Sequence, residues 1–225
     1  MTRKEIDMQT YPRKDHFDHF RVMENPFITL TVEIDLTEWL PAVKKAGIPQ
    51  FLGLQYALCR AANRIPEFRQ RIVGDKIVEY DVCDPSYTYG LPDGTYRYCR
   101  VNVMQPFGDY VREARQKEAE ALNAEHLAEE GDLLSLFFTS CAPWFSYTGL
   151  TMPWPDRNLT IPNFVWGKYK KEKVLRLAGG KVTETEKVTV PVTILVNHAL
   201  VDGSHIGRFL ANVEEELRAF HFQEN

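Results

Sequence analysis

The chain alternates between two hydrophobic periods, and these set most of its elements. Phe27 to Asp35 has Leu30, Val32 and Ile34 alternating with Thr31, Glu33 and Asp35, the period-two pattern of a half-buried strand. Gln50 to Asn63 is almost wholly apolar, with Leu52, Tyr56, Cys59 and Ala62 at three- and four-residue steps, which predicts a buried helix ended by Pro66. Ser204 to Phe220 places Ile206, Phe209, Leu210, Val213 and Leu217 on one face, an amphipathic C-terminal helix. Val188 to Val196 again alternates and reads as a strand that delivers Asn197 and His198.

Weaker signals fill the intervals. Arg13–Arg21 predicts a short helix broken at Asn25-Pro26, and Thr37 is the candidate N-cap of a helix over Glu38–Ala46 that ends at Gly47. Ile72–Val73 and Ile77–Val82 flank Gly74-Asp75-Lys76 as a hairpin. Tyr87–Tyr89 and Tyr96–Val103 are strand candidates around Pro92-Asp93-Gly94, and Leu133–Thr139 is a further apolar strand. Phe107 to Glu130, rich in Ala, Glu, Leu, Lys and Arg, predicts a solvated helix, and Pro143–Pro155 is irregular. Strands and helices mix without strict βα alternation, so the expected class is α/β or α+β with a mixed sheet flanked by helices. Nothing marks a boundary or a repeat, and one domain over residues 1–225 is expected.

Composition narrows the function without naming it. Hydrophobic residues make up 44% and charged residues 26% of the 225, enough to bury a core without metals or disulfides. A formal net charge of -4 argues against nucleic-acid binding. The four cysteines, Cys59, Cys83, Cys99 and Cys141, form no C-x-x-C pair, so no zinc or redox site is expected. Met1–Gln9 is polar, with no secretory h-region, and no apolar run is long enough to span a bilayer. The expectation is a reduced cytoplasmic protein without metal, membrane or nucleic-acid partners.

Candidate chemistry lies at the end of the last strand. His198 is followed four residues later by Asp202-Gly203, and a helix begins at once. Gly203 is expected to take a tight positive-φ turn. A histidine suits proton transfer near neutral pH, yet on spacing alone His198 reads more simply as a satisfied core residue.

The surrounding residues carry a resemblance. Asn197-His198-Ala199-Leu200-Val201-Asp202-Gly203-Ser204-His205-Ile206-Gly207-Arg208 resembles the chloramphenicol acetyltransferase signature H-H-A-V-C-D-G-F-H-V-G-R. Tyr11-Pro12-Arg13-Lys14-Asp15-His16-Phe17, Pro66-Glu67-Phe68-Arg69, Tyr80 to Thr88, Ser140-Cys141-Ala142-Pro143-Trp144 and Gly167-Lys168-Tyr169 resemble five further segments of that family, in order. The D-H-x-x-x-D-G signature of dihydrolipoyl acyltransferases is a more distant likeness.

The resemblance implies a CoA-dependent acyltransferase fold and a direct acetyl transfer from acetyl-CoA to a hydroxyl in a ternary complex. His198 matches the general base, and Ser140 the hydroxyl that steadies the oxyanion. Asp202 matches a carboxylate paired with the arginine that Arg13 matches, a structural support of the site. Lys168 and Tyr169, with Trp144, are the positions for coenzyme A: tyrosine can stack on adenine, and lysine can meet phosphate as a point charge. Lys168–Lys173 also reads simply as a solvated hairpin. Phe20, Leu150 and Met152 stand at positions that line the acceptor pocket. The resemblance further implies a homotrimer with its active sites between subunits, chloramphenicol as the acceptor, and a role in antibiotic resistance.

Departures loosen the acceptor. Asn197 replaces the family's first histidine, Leu91–Val101 replaces an acidic, Thr-rich stretch, and Val165 or Trp166 stands at a threonine position. Another small hydroxylated acceptor, and a non-catalytic trimeric binding protein, are the alternatives.

Overall fold

The computed structural model describes residues 1–127, 131–153 and 156–220, except the side chains of Arg176 and Ala178. In chain order the elements are β1 (Arg3–Glu5), α1 (Lys14–Phe20), β2 (Phe27–Asp35), α2 (Trp39–Lys45), α3 (Gln50–Asn63), β3 (Gln70–Val73), β4 (Lys76–Tyr80), β5 (Asp84–Gly90) and β6 (Tyr96–Arg100). They continue with α4 (Phe107–Ala121), β7 (Leu136–Cys141), β8 (Asn163–Trp166), β9 (Lys170–Ala178), β10 (Lys181–Asn197) and α5 (Gly203–Arg218).

The architecture is a mixed α/β sheet flanked by helices. The main sheet runs β2-β10-β8-β7-β5-β6, with β9 paired to the first half of β10, and a small antiparallel sheet runs β1-β4-β3. β5, β7 and β8 are mutually parallel neighbours, and the remaining pairings are antiparallel. The central strand β10 decides the layering. From Val188 to Asn197 every residue is buried, so the apolar alternation there is not an inside–outside alternation: both faces are covered, as for a central strand.

The core joins helices to sheet through aromatic rings. Phe68, Phe164 and Phe209 stack in a run, with ring centroids of Phe68 and Phe209 5.2 Å apart and Phe164 and Phe209 5.1 Å apart. Helix α3 buries most of its surface, including Gln55, whose amide donates to Thr139 Oγ1 at 2.6 Å and accepts from the Tyr110 hydroxyl. A fully buried polar side chain is tolerated because its amide is paired. Arg71 is likewise wholly buried; its guanidinium donates to the Phe68, Gln70 and Leu136 carbonyls and ties the small sheet to the main one.

Several expectations change. Thr37 does not cap α2: its hydroxyl accepts from the Val188 N–H at 3.0 Å, being drawn into the adjacent strand, and α2 starts at Trp39 without a side-chain cap. The helix expected over Phe107–Glu130 is α4, ending at Ala121; positions 128–130 lie outside the described residues. Leu133–Ser135 is a short 3-10 turn with Asp132 accepting from the Leu134 N–H, which delays β7 to Leu136. Of the irregular Pro143–Pro155 stretch, Trp154 and Pro155 lie outside the described residues. Gly203 does not take positive φ: Asp202 is extended, with φ -125 and ψ -177, and caps α5, so Gly203 is the first helical residue and the reversal is made before it. Of Lys168–Lys173, Lys170–Lys173 enter a hairpin as the start of β9, opposite Thr189 to Glu186 of β10, and Lys168 and Tyr169 precede it.

Candidate active site

Antiparallel pairing brings the base candidate to a fixed place. Asn197 pairs with Phe27, and the next N–H, that of His198, donates to the Pro26 carbonyl at 2.6 Å. The chain then turns through His198 to Leu200 before α5. The His198 ring is half-buried and stacks on Phe20 at the end of α1, with centroids 3.8 Å apart and planes 17° apart. His198 Nδ1 lies 3.1 Å from the Val201 carbonyl oxygen. A carbonyl only accepts, so this contact requires the proton on Nδ1 and leaves the lone pair on Nε2.

The residue before it is tied into the surrounding backbone. Asn197 is buried; its amide donates to the Arg157 and Leu159 carbonyls at 3.1 and 3.2 Å, and its oxygen accepts from the Ala199 N–H at 3.0 Å. It pins a neighbouring loop to the turn that carries His198.

Asp202 and Arg13 meet. Arg13 Nη1 donates to Asp202 Oδ2, joining the start of α1 to the start of α5. The other carboxylate oxygen accepts from the Ser204 N–H at 2.9 Å and from the Ser204 hydroxyl at 2.7 Å. Partial burial opposes ionisation of Asp202, but the hydrogen bonds from Ser204 and Arg13 and the charge of Arg13 outweigh it and hold the carboxyl well below the usual carboxylate range. Asp202 does not touch the His198 ring in any hydrogen bond of the site; it supports the backbone beside it.

Ser140 belongs to another part of the chain. It sits near the end of β7, and its hydroxyl lies 3.0 Å from Thr88 Oγ1 on β5. Ser140 and Thr88 line a cavity of about 370 Å³ with Ser86, Tyr98, Asn163 and Val165. Val165 therefore stands beside the hydroxyls, whereas Trp166 is buried in the core. Cys141 is partly buried, which pushes its thiol up to about 12 and keeps it from acting as a thiolate at neutral pH.

Strand register gives the separation of these two centres. Ser140 pairs with Val165, Val165 pairs with Thr193, and His198 lies five residues beyond Thr193 along β10. At strand spacings of about 4.8 Å and a rise of about 3.3 Å per residue, His198 and Ser140 lie roughly 19 Å apart. One chain does not bring the two together.

The remaining candidates are scattered likewise. Lys168 is exposed, and its N–H donates to the Phe145 carbonyl at 2.8 Å. Trp144 is 78% exposed beside it, and Phe145 54%. Tyr169 is partly buried against the core, and burial pushes its hydroxyl up to about 12. Met152 is buried and Leu150 half-buried in the segment after β7, and neither lines the Ser140 cavity. A cavity of about 850 Å³ between β2, α2 and α5 contains none of these residues. Thr88, Glu67 and His205 were not singled out by sequence; all three lie inside matched segments but carry no pattern of their own.

The model of the chloramphenicol acetyltransferase family matches residues 1–214. A chloramphenicol acetyltransferase from Escherichia coli is 28% identical over 214 residues, covering 93% of this chain and 91% of its own length. A solved chloramphenicol acetyltransferase superposes with a TM-score of 0.75 at 27% identity, covering 96% of this chain and 100% of that one. A probable dihydrolipoamide acetyltransferase from Listeria monocytogenes shares the fold, with a TM-score of 0.66 at 18% identity over 98% of this chain and 95% of that one. With the match running from the first strand into α5, the chain belongs to the chloramphenicol acetyltransferase family and is an acyltransferase.

Proposed function

We propose that the protein, as one domain over residues 1–225, transfers the acetyl group of acetyl-CoA to a hydroxyl of chloramphenicol, at sites built between the subunits of a homotrimer in the cytoplasm. The observation that carries this reading is the pairing of a poised imidazole with a hydroxyl cluster too far away to serve it in the same chain. His198 Nε2 bears the lone pair, and Ser140 with Thr88 offers hydroxyl donors roughly 19 Å off by strand geometry. A second copy bringing its Ser140 to this His198 supplies the complete set, in keeping with closed symmetry among homo-oligomers.

In that arrangement His198 Nε2 takes the proton as the acceptor oxygen attacks the thioester carbon. The carbonyl oxygen becomes an oxyanion, to which Ser140 Oγ donates while accepting from Thr88 Oγ1. Collapse of the tetrahedral intermediate breaks the carbon–sulfur bond, and the departing CoA thiolate recovers the proton from His198. Asp202 and Arg13 keep the backbone around the base in place. The exposed Lys168 and Trp144, with Tyr169 behind them, provide a charge and aromatic faces suited to phosphate and adenine. Phe20 packs on the base and forms one apolar wall for the acceptor, with Leu150 and Met152 as the other candidates.

A second acceptor is favoured by one observation. Tyr98, from the segment that departs most from the family pattern, lines the Ser140 cavity, so a different small hydroxylated molecule is the alternative substrate. The test is release of free CoA thiol from acetyl-CoA with chloramphenicol, with His198→Ala alongside. Release by the wild type alone supports the reading; release only with other hydroxylated acceptors moves the substrate, and no release with any acceptor contradicts it. Light scattering at working concentration tests the trimer, and an active monomer would refute the shared site. Growth of cells carrying the protein on chloramphenicol tests the role in resistance.

A further inference from the structure

A histidine that acts through Nε2 needs its proton held on Nδ1, because the other tautomer presents N–H where the lone pair is required. His198 meets this need through one peptide unit. The Val201–Asp202 carbonyl faces His198 Nδ1 at 3.1 Å, and the N–H of the same unit donates to His205 Nδ1 at 2.9 Å. The N–H and C=O of a peptide share one plane and point in opposite directions. Fixing the first therefore fixes the aim of the second.

His205 is itself fixed. It is 5% exposed, and its Nε2 lies 3.3 Å from Glu67 Oε1, while Glu67 Oε2 lies 3.3 Å from Arg208 Nη2. Nδ1 can accept from the Asp202 N–H only when bare, so the proton of the neutral ring is on Nε2 and points at Glu67. Asp202 Oδ1 stands at 2.9 Å from the same Nδ1. A protonated His205 would turn its new N–H to that oxygen and leave the Asp202 N–H without its acceptor. The relay thus belongs to the neutral ring: Glu67 sets the tautomer of His205, and His205 holds the peptide plane that sets the tautomer of His198.

We propose that His205, oriented by Glu67, is a positioning residue for the His198 base, acting through the Val201–Asp202 peptide unit. This rests on the reading of His198 as the base. Hydrogen bonds linked in series through a peptide also polarise one another, so the carbonyl that His198 meets is a better acceptor with its N–H engaged.

The test compares His205→Ala with His205→Gln. A glutamine at the third position of a helix reaches back to the N-cap N–H, so it restores the acceptor without the ring. His205→Ala is expected to lower kcat by about 10- to 100-fold with KM for acetyl-CoA changed by less than about twofold, the range seen when groups behind a reactive ligand are lost. His205→Gln is expected to recover most of kcat. In protein labelled at histidine nitrogen, magnetic resonance is expected to show the Nδ1–H tautomer of His198 in the wild type and in His205→Gln, and mixed tautomers in His205→Ala. An unchanged His198 tautomer in His205→Ala, or equal losses of kcat in both variants, overturns the relay. Because the tautomer is read without turnover, a wild type that transfers no acetyl group would refute the proposed activity and still leave the relay decided by the spectra.

Discussion

At the scale of single residues, the proposed reaction sets side chains that touch reacting atoms apart from those that hold them. Ser140 is in the first group, and Ser140→Ala is expected to lower kcat by about 100- to 1,000-fold, equivalent to about 3–4 kcal/mol, in a CoA-release assay. Thr88→Val, which removes only the hydroxyl behind Ser140, is expected to cost about 1 kcal/mol, the value of one neutral hydrogen bond. Equal losses in the two would show that Ser140 has no direct role. Asp202 is in the second group and makes a prediction in pH. Its carboxyl is held below the usual range in the folded protein, so its contribution is complete above its unfolded value of about 3.9 and is lost as pH falls through the folded value. Asparagine also caps helices, so Asp202→Asn isolates the ion pair with Arg13. Its loss is expected to destabilise by about 1–3 kcal/mol, a buried-pair penalty reduced because the side chains are 28% and 14% exposed. Denaturant titrations should find that difference constant above about pH 5 and shrinking below about pH 4.

These residues were unequally legible in the sequence. His198, Ser140, Asp202 and Arg13 stood out through the matched segments, and the Arg13–Asp202 pair forms. His205 and Glu67 did not, because their work depends on one peptide plane and on two segments far apart in sequence. Asn197 was visible only as a departure. Its task, pinning the loop at Arg157 and Leu159, depends on a loop with no periodic signal.

At the scale of elements, burial decided which patterns could be read. The apolar helix α3 and the amphipathic α5 match their expected spans closely because burial all round leaves an unbroken apolar run and burial of one face leaves a plain period. The first half of β10, Lys181 to Lys187, is polar and mostly exposed, and it is a strand only because β9 pairs with it, in a ladder of nine positions that runs on to Thr189. This β9–β10 hairpin carries an apolar patch. Leu175, Leu177 and Val182 are 74, 75 and 65% exposed, and Leu177 faces Val182 directly across the ladder. Paired apolar side chains on an exposed ladder suit burial against another copy of the chain. Leu177→Asp is expected to shift the assembly toward monomers by light scattering while leaving the monomer folded by circular dichroism. A fully assembled Leu177→Asp protein would place the interface elsewhere.

At the scale of the whole molecule, the sheet itself separates the chemistry. Two strand spacings and five residues of rise lie between Ser140 and His198, and no side-chain motion spans roughly 19 Å. The family resemblance implied sites between subunits, but the periodic pattern carried no sign of them, because the distance follows from strand register. On the proposed reading, acetyl transfer takes His198 from one subunit and Ser140 from the next. The direct test mixes His198→Ala with Ser140→Ala subunits, each inactive alone, by co-expression. If each interface takes one residue from each neighbour, random mixing in equal parts gives about a quarter of interfaces both intact residues. CoA release at about a quarter of the wild-type rate is therefore expected from the mixture. Mixed oligomers that assemble and remain inactive would contradict it.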